Sequence, residues 1–211
     1  MMAQKGKCML KYTEDGLPVI TKENLLALNE ILGFGKNKDK YEEYNELFSR
    51  LNQENPIIWK LIQAVRVMYK EESESDEHAP LSSGMMGGVI FMYESFRRQY
   101  EANELEEMIN AKESRIYNNL PRISEEAWRN LGGNVVDVDS TVFSDKFMNR
   151  MRRIIQKENP EVRYLMCLED VISSVPEENE NRAEGANYGV CIVYELFRQQ
   201  ALVDKMKREA I

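Results

Sequence analysis

The sequence predicts an all-α protein, a tandem duplication of a roughly four-helix unit whose copies pack as a pseudo-two-fold bundle. Three observations lead there. The segment "GMMGGVIFMYESFRRQ" at 84–99 recurs as "GANYGVCIVYELFRQQ" at 185–200, identical at eight of sixteen positions without a gap. Unrelated segments of ordinary composition would agree at about one position. Other pieces recur in the same order: "LPVITKE" from Leu17 with "LPRISEE" from Leu120, and Glu54-Asn55-Pro56 with Glu158-Asn159-Pro160. The offsets are 103, 104 and 101 residues, as expected of a fixed-period repeat with one short length change in a loop. Lastly, the apolar residues recur at helical spacing rather than alternating as in strands. The expected division is an N-terminal extension at 1–16, a first copy at 17–110, a linker at 111–119 and a second copy at 120–208.

Each unit opens with a capped helix. Thr21 and Ser124 follow a Pro by three residues and precede Glu in the first turn, the pattern of an N-cap. Leu25, Leu28 and Leu32 then fall at helical spacing. A Gly-containing break follows, "GFGKNK" in one copy and "GGNVVDVDS" in the other; such runs end helices. The stretch 134–139 within the second break is the one place where a short extended segment would fit. The second helix carries Tyr41, Tyr44, Leu47, Phe48 and Leu51 on one stripe, matched by Phe147, Met148, Met151, Ile154 and Ile155. Asn55-Pro56 and Asn159-Pro160 suit Ncap and N1 of the third helix, where proline lacks only a donor that would be unpaired anyway. That helix bears Ile57, Ile58, Leu61, Ile62, Val65 and Met68. Acidic stretches follow, Glu71, Glu72, Glu74, Asp76 and Glu77 in one copy and Glu177, Glu178, Glu180 and Glu184 in the other; these read as solvated loops. The duplicated segment is the last helix.

That last helix holds glycine four residues apart, Gly84 with Gly88 and Gly185 with Gly189. Glycine inside a helix costs about 1 kcal/mol relative to alanine. Positions i and i+4 share one face, so the pairs mark a face where another backbone comes close. Gly84 and Gly185 also suit the opening of the helix. The run after them, Val89 to Tyr93 and Val190 to Tyr194, is apolar all round and therefore central. Within it lie Glu94 and Glu195, each followed three residues later by Arg97 and Arg198. A buried carboxylate needs a partner. Two arrangements fit: ion pairs along each helix, or an exchange between copies, Glu94 with Arg198 and Glu195 with Arg97. The second is expected if the duplication descends from a homodimer whose two-fold contacts became internal.

Composition bounds the function. The chain has 211 residues, 43% hydrophobic and 30% charged, with net charge −8. It can bury a full core, and its acidity argues against a protein that coats nucleic acid. Cys8, Cys167 and Cys191 are scattered, so neither a disulfide framework nor a zinc site is expected; Cys167 and Cys191 read as small buried apolar groups. No long apolar run follows the positive charges near the N-terminus and no stretch approaches about 18 apolar residues, so neither a leader peptide nor a membrane span is expected. The expected location is the cytoplasm.

Nucleophile elbows, phosphate loops and dinucleotide fingerprints are absent. His78, the single histidine, sits in a charged loop. Catalytic, cofactor-binding and metal-binding residues are therefore all expected to be none, and no cofactor is expected. The first expectation is a non-enzymatic interaction or regulatory protein, an inhibitor or adaptor, that shows a rigid acidic helical surface to a protein partner. It would be a monomer or homodimer with no membrane attachment. A second reading is nucleic-acid association through Arg150, Arg152, Arg153 and Lys157, a basic cluster without interleaved aromatics. The third is an enzyme with a Glu/Arg site between the copies.

Overall fold

The computed structural model describes residues 11–32, 41–73, 79–111, 122–131, 144–163, 166 and 177–210. The protein is all-helical: α1 (Lys22–Leu32), α2 (Tyr41–Glu54), α3 (Pro56–Ser73), α4 (Ala79–Ala111), α5 (Glu125–Leu131), α6 (Asp145–Glu158) and α7 (Glu177–Glu209), with a further helical turn at 160–163. The one β feature among the described residues is an isolated bridge between Tyr12 and Pro18. None of the described helices is long and apolar enough to cross a membrane. His78, Cys8, Cys167, the two Gly-containing breaks with the stretch 134–139, and the linker from 112 on all lie outside the described residues.

The helix starts follow local chemistry. The Thr21 hydroxyl accepts from the backbone N–H of Asn24 at 3.4 Å, and Ser124 from that of Ala127 at 3.2 Å. Ser144 caps α6 likewise, accepting from Phe147 at 3.2 Å. Each satisfies one of the donors orphaned in a first turn. Proline begins α3 at Pro56, where its missing N–H costs nothing.

The helices that carry the recurring segments 84–99 and 185–200 are longer than those segments. Both α4 and α7 run for 33 residues. Glu177, Glu178, Glu180 and Glu184 therefore belong to the first turns of α7 rather than to a loop, and Glu71 and Glu72 to the end of α3. The positive end of a helix dipole accommodates acidic residues, so the density of Glu at 177–184 is compatible with helix.

These two long helices are the axis of the core. They run parallel, because contacts between them rise together in number: Gly84 lies against Arg182, Gly88 against Ala186 and Tyr93 against Phe197. Helices α1 and α3 pack on α4, α5 and α6 on α7, and α2 on α3. Val89, Met92, Tyr93 and Phe96 are fully enclosed, as are Cys191, Ile192, Tyr194 and Phe197. Residues 11–20 make a tight turn, with Thr13 N–H on the Leu17 carbonyl at 2.7 Å and Val19 N–H on that of Lys11 at 2.8 Å. Gly16 takes φ 87° there, a conformation natural for glycine. Leu17 and Ile20 anchor this segment in the core.

Candidate functional site at the helix crossing

The crossing of α4 and α7 has no room for side chains at its glycines. A Cβ at Gly84 would stand 2.7 Å from the carbonyl carbon of Arg182, and one at Gly88 would stand 2.9 Å from that of Ala186. On the other helix, a Cβ at Gly185 would meet the carbonyl carbon of Leu81 at 2.8 Å, and one at Gly189 the amide nitrogen of Val89 at 2.7 Å. The obstacles are backbone atoms, which cannot rotate aside. Each glycine Cα thus faces a carbonyl, the arrangement of a Cα–H···O contact. All four glycines lie at the crossing, so Gly84 and Gly185 are not merely helix openers. The approach resembles the close packing that small residues allow between membrane helices.

Beyond the glycines the crossing is aromatic. Phe96 and Phe197 meet with centroids 4.7 Å apart, and each packs on the tyrosine of the other helix: Tyr93 with Phe197 at 6.2 Å, Phe96 with Tyr194 at 5.5 Å. Both phenols are tied off. Tyr93 donates to Glu54 at 3.0 Å and Tyr194 to Glu158 at 2.9 Å. Burial above all, with the nearby carboxylates, pushes both phenols well above their ordinary range.

Glu94 and Glu195 are sealed, 0% and 1% exposed. Glu94 receives Arg97 at 3.0 Å on its own helix and Arg50 from α2 at 2.5 Å, with Arg98 at 3.9 Å. Glu195 receives Arg198 at 2.8 Å, Arg150 from α6 at 3.2 Å and the amide of Gln199 at 2.8 Å. Of the two arrangements open to the sequence, the local one forms; the exchange of Glu94 with Arg198 and Glu195 with Arg97 does not. A partner three residues away on the same helix is already held within reach, so less ordering is needed. The Glu195 hydrogen bond chiefly, against the opposing effect of burial, raises the Arg198 pKa, aided by Asp15. For Arg97 burial is the larger single influence and opposes charge, yet the bonds and attraction of Glu94 and Glu101 outweigh it.

The outer partners of these arginines differ. Arg97 reaches Glu101 on its own helix, whereas Arg198 reaches Asp15 of the N-terminal turn at 3.0 Å. Arg50 and Arg150 also do not correspond: at the 104-residue offset Arg50 matches Ile154, and Arg150 matches Glu46. The two carboxylates are thus neutralised from α2 and α6 at positions one turn apart.

The asparagines before proline do more than open α3 and its counterpart. Asn159 Oδ1 accepts the backbone N–H of Ile20 at 2.6 Å, and Asn55 Oδ1 accepts that of Ile123 at 3.1 Å. Asn159 also donates to the Tyr194 hydroxyl at 2.9 Å. Each Leu-Pro-x-Ile segment is therefore seated on an asparagine of the opposite half of the chain. Gln99 and Gln200 hold the segments from below, accepting from Thr21 N–H at 2.9 Å and Ser124 N–H at 2.7 Å. Sequence reasoning missed both roles. The available signal was that Asn and Gln recur unchanged, although several residue types cap a helix equally well.

The basic cluster is partly spent. Arg150 lies on Glu195 and over the Phe147 ring, 5.6 Å from its centroid, and Lys157 pairs with Glu14 at 3.5 Å. Arg152 is half-buried and Arg153 exposed. Burial chiefly pushes the enclosed Cys191 thiol up to about 12. Among the described residues no group of three His, Cys, Asp or Glu side chains could hold a metal ion.

Comparison with protein-family models, with curated proteins and with solved structures finds no match to this chain.

Proposed function

We propose that the chain is two copies of one helical unit packed about a pseudo-two-fold axis, and that it works in the cytoplasm as a non-enzymatic interaction or regulatory protein. Its rigid acidic surface would engage a protein partner with a basic face. One observation carries the reading: the contacts that join the halves map onto themselves when the halves are exchanged. Gly84 on Arg182 becomes Gly185 on Leu81; Tyr93 with Phe197 becomes Tyr194 with Phe96; Asn55 with Ile123 becomes Asn159 with Ile20. Unrelated helices would have no reason to repeat such pairs.

What supports an interaction role over catalysis is the state of the two carboxylates. Glu94 and Glu195 lie beneath their guanidinium groups, out of reach of a substrate. What supports a protein partner over nucleic acid is charge. The chain carries −8; Glu23 is exposed, as are Glu106 beside Lys11 at 3.0 Å and Glu125 beside Lys60 at 3.9 Å; and two of the four clustered basic residues already meet carboxylates. Steering between oppositely charged faces raises association rates and is screened by salt.

The test is affinity capture on the immobilised full chain, with mass spectrometry of what is retained and a salt gradient to release it. The expected result is a stoichiometric basic protein, released by salt and lost on Glu23→Lys/Glu106→Lys/Glu125→Lys. Retention of nucleic acid that depends on Arg150, Arg152, Arg153 and Lys157 would replace this reading with the nucleic-acid one. Turnover of a captured small molecule that depends on Glu94 or Glu195 would replace it with the enzymatic one.

A further inference from the structure

We propose that the face joining the two halves is a self-sufficient subunit interface whose charges make pairing heterotypic: each half takes the other as its partner, and the second half rejects a copy of itself. The proposal rests on the two-unit reading above.

Most of the joining contacts are indifferent to which half sits opposite. Both halves supply a glycine pair to the crossing, both supply a Tyr and a Phe to the aromatic cluster, and both seat a Leu-Pro-x-Ile segment on an asparagine. These contacts alone would permit any pairing.

The outer partners of the arginines are not indifferent. Arg198 is 17% exposed and takes its second carboxylate, Asp15, from the N-terminal turn of the first half at 3.0 Å; Glu14 of the same turn reaches Lys157 at 3.5 Å. At the 103-residue offset the positions of Glu14 and Asp15 are held by Tyr117 and Asn118. A second half thus carries no carboxylate at the positions that match Glu14 and Asp15, and two paired second halves would have none to give Arg198 from there. Arg198 would find no substitute on its own helix, because Leu202 stands where Glu101 stands in the first half. It would keep Glu195 at 2.8 Å and lose its second carboxylate, which weakens that pairing relative to the heterotypic one. The first half does not depend on its partner in this way, since Arg97 meets Glu101 on α4 itself. Leu at 202 and the use of Asp15 go together: the second half takes from the first a counter-charge that the first half carries on its own helix. Pairing specificity of this kind comes as much from what the wrong partner lacks as from what the right one offers.

The test starts from the whole folded chain, with a protease site placed within 112–119 and cut after folding. Cut samples with and without isotope label are then mixed and read by native mass spectrometry and size exclusion at about 10 µM. The halves should stay together one to one and exchange label between heterotypic pairs, with paired second halves at less than about a tenth of their abundance. Asp15→Asn should raise the dissociation constant of the cut pair about tenfold and narrow that discrimination. Separation of the halves on cutting would overturn the self-sufficient interface. Second-half pairs as abundant as heterotypic ones would overturn the specificity. Partner capture is read separately, so the interaction role and this inference can fail independently.

Discussion

Gly88→Ala sets two effects of known size against each other. In an ordinary helix the change is favourable by about 1 kcal/mol. At the crossing the new Cβ would lie 2.9 Å from the Ala186 carbonyl carbon and 3.0 Å from its Cα, and closer to the oxygen. Ordinary contact begins near 3.4 Å and the carbonyl oxygen is the nearest obstacle, so α4 and α7 must part by roughly an ångström. A gap of 0.5–1 Å forfeits about a quarter to a half of each dispersion contact, each worth about 0.1–0.2 kcal/mol. With a few dozen such contacts flanking the crossing the loss is about 2–3 kcal/mol, in the range of measured overpacking. The net expectation is destabilisation by about 1–2 kcal/mol, or roughly 2–8 °C in Tm for a chain of this size. Thermal and urea unfolding followed by circular dichroism would measure it. Gly88→Ala with Gly189→Ala should cost less than the sum of the two, because one separation serves both. A raised Tm for Gly88→Ala would show that helix propensity alone governs the site and would refute the close-contact reasoning.

Three further outcomes follow from other contacts. Asn55→Ala and Asn159→Ala each strip a buried backbone N–H of its acceptor, that of Ile123 or of Ile20; each should cost about 1–3 kcal/mol in urea unfolding, and hydrogen exchange should speed up at those amides. Glu94→Gln should destabilise by about 2–4 kcal/mol, because Arg97 keeps its charge in a largely buried place. Arg150→Ala, at a side chain 53% exposed, should cost less than about 1 kcal/mol. Stability should also fall at alkaline pH. An unperturbed thiol ionises near 9.0 and a phenol near 10.0, while burial first of all keeps Cys191 protonated up to about 12 and raises Tyr93 and Tyr194 as well. Above pH 9 the unfolded chain therefore binds fewer protons than the folded one, and stability declines with pH. This contribution is complete below pH 9 and is lost on the way to 12 and beyond; Cys191→Ala should remove the earliest part of the decline in urea midpoints measured between pH 8 and 11.

What was legible in the sequence is what short-range chemistry encodes. The apolar stripes of α2 and α6 are read from a 3.6-residue period, and Thr21 and Ser124 cap as residues of their type do within one turn. The glycine pairs announce a close approach because their cost within a helix demands a return. Even the i,i+3 partners of Glu94 and Glu195 lie within that reach. The start of α7 was misjudged because a run of Glu is equally at home in a loop and at a helix N-terminus. What only the tertiary structure decided is which distant groups meet. Asn159 serves Ile20 across 139 residues, Asn55 serves Ile123 across 68, and Asp15 completes Arg198 across 183. No local pattern carries these pairings. An amide or carboxylate accepts from any donor that comes near, and nearness here is set by how two 33-residue helices cross at four glycines.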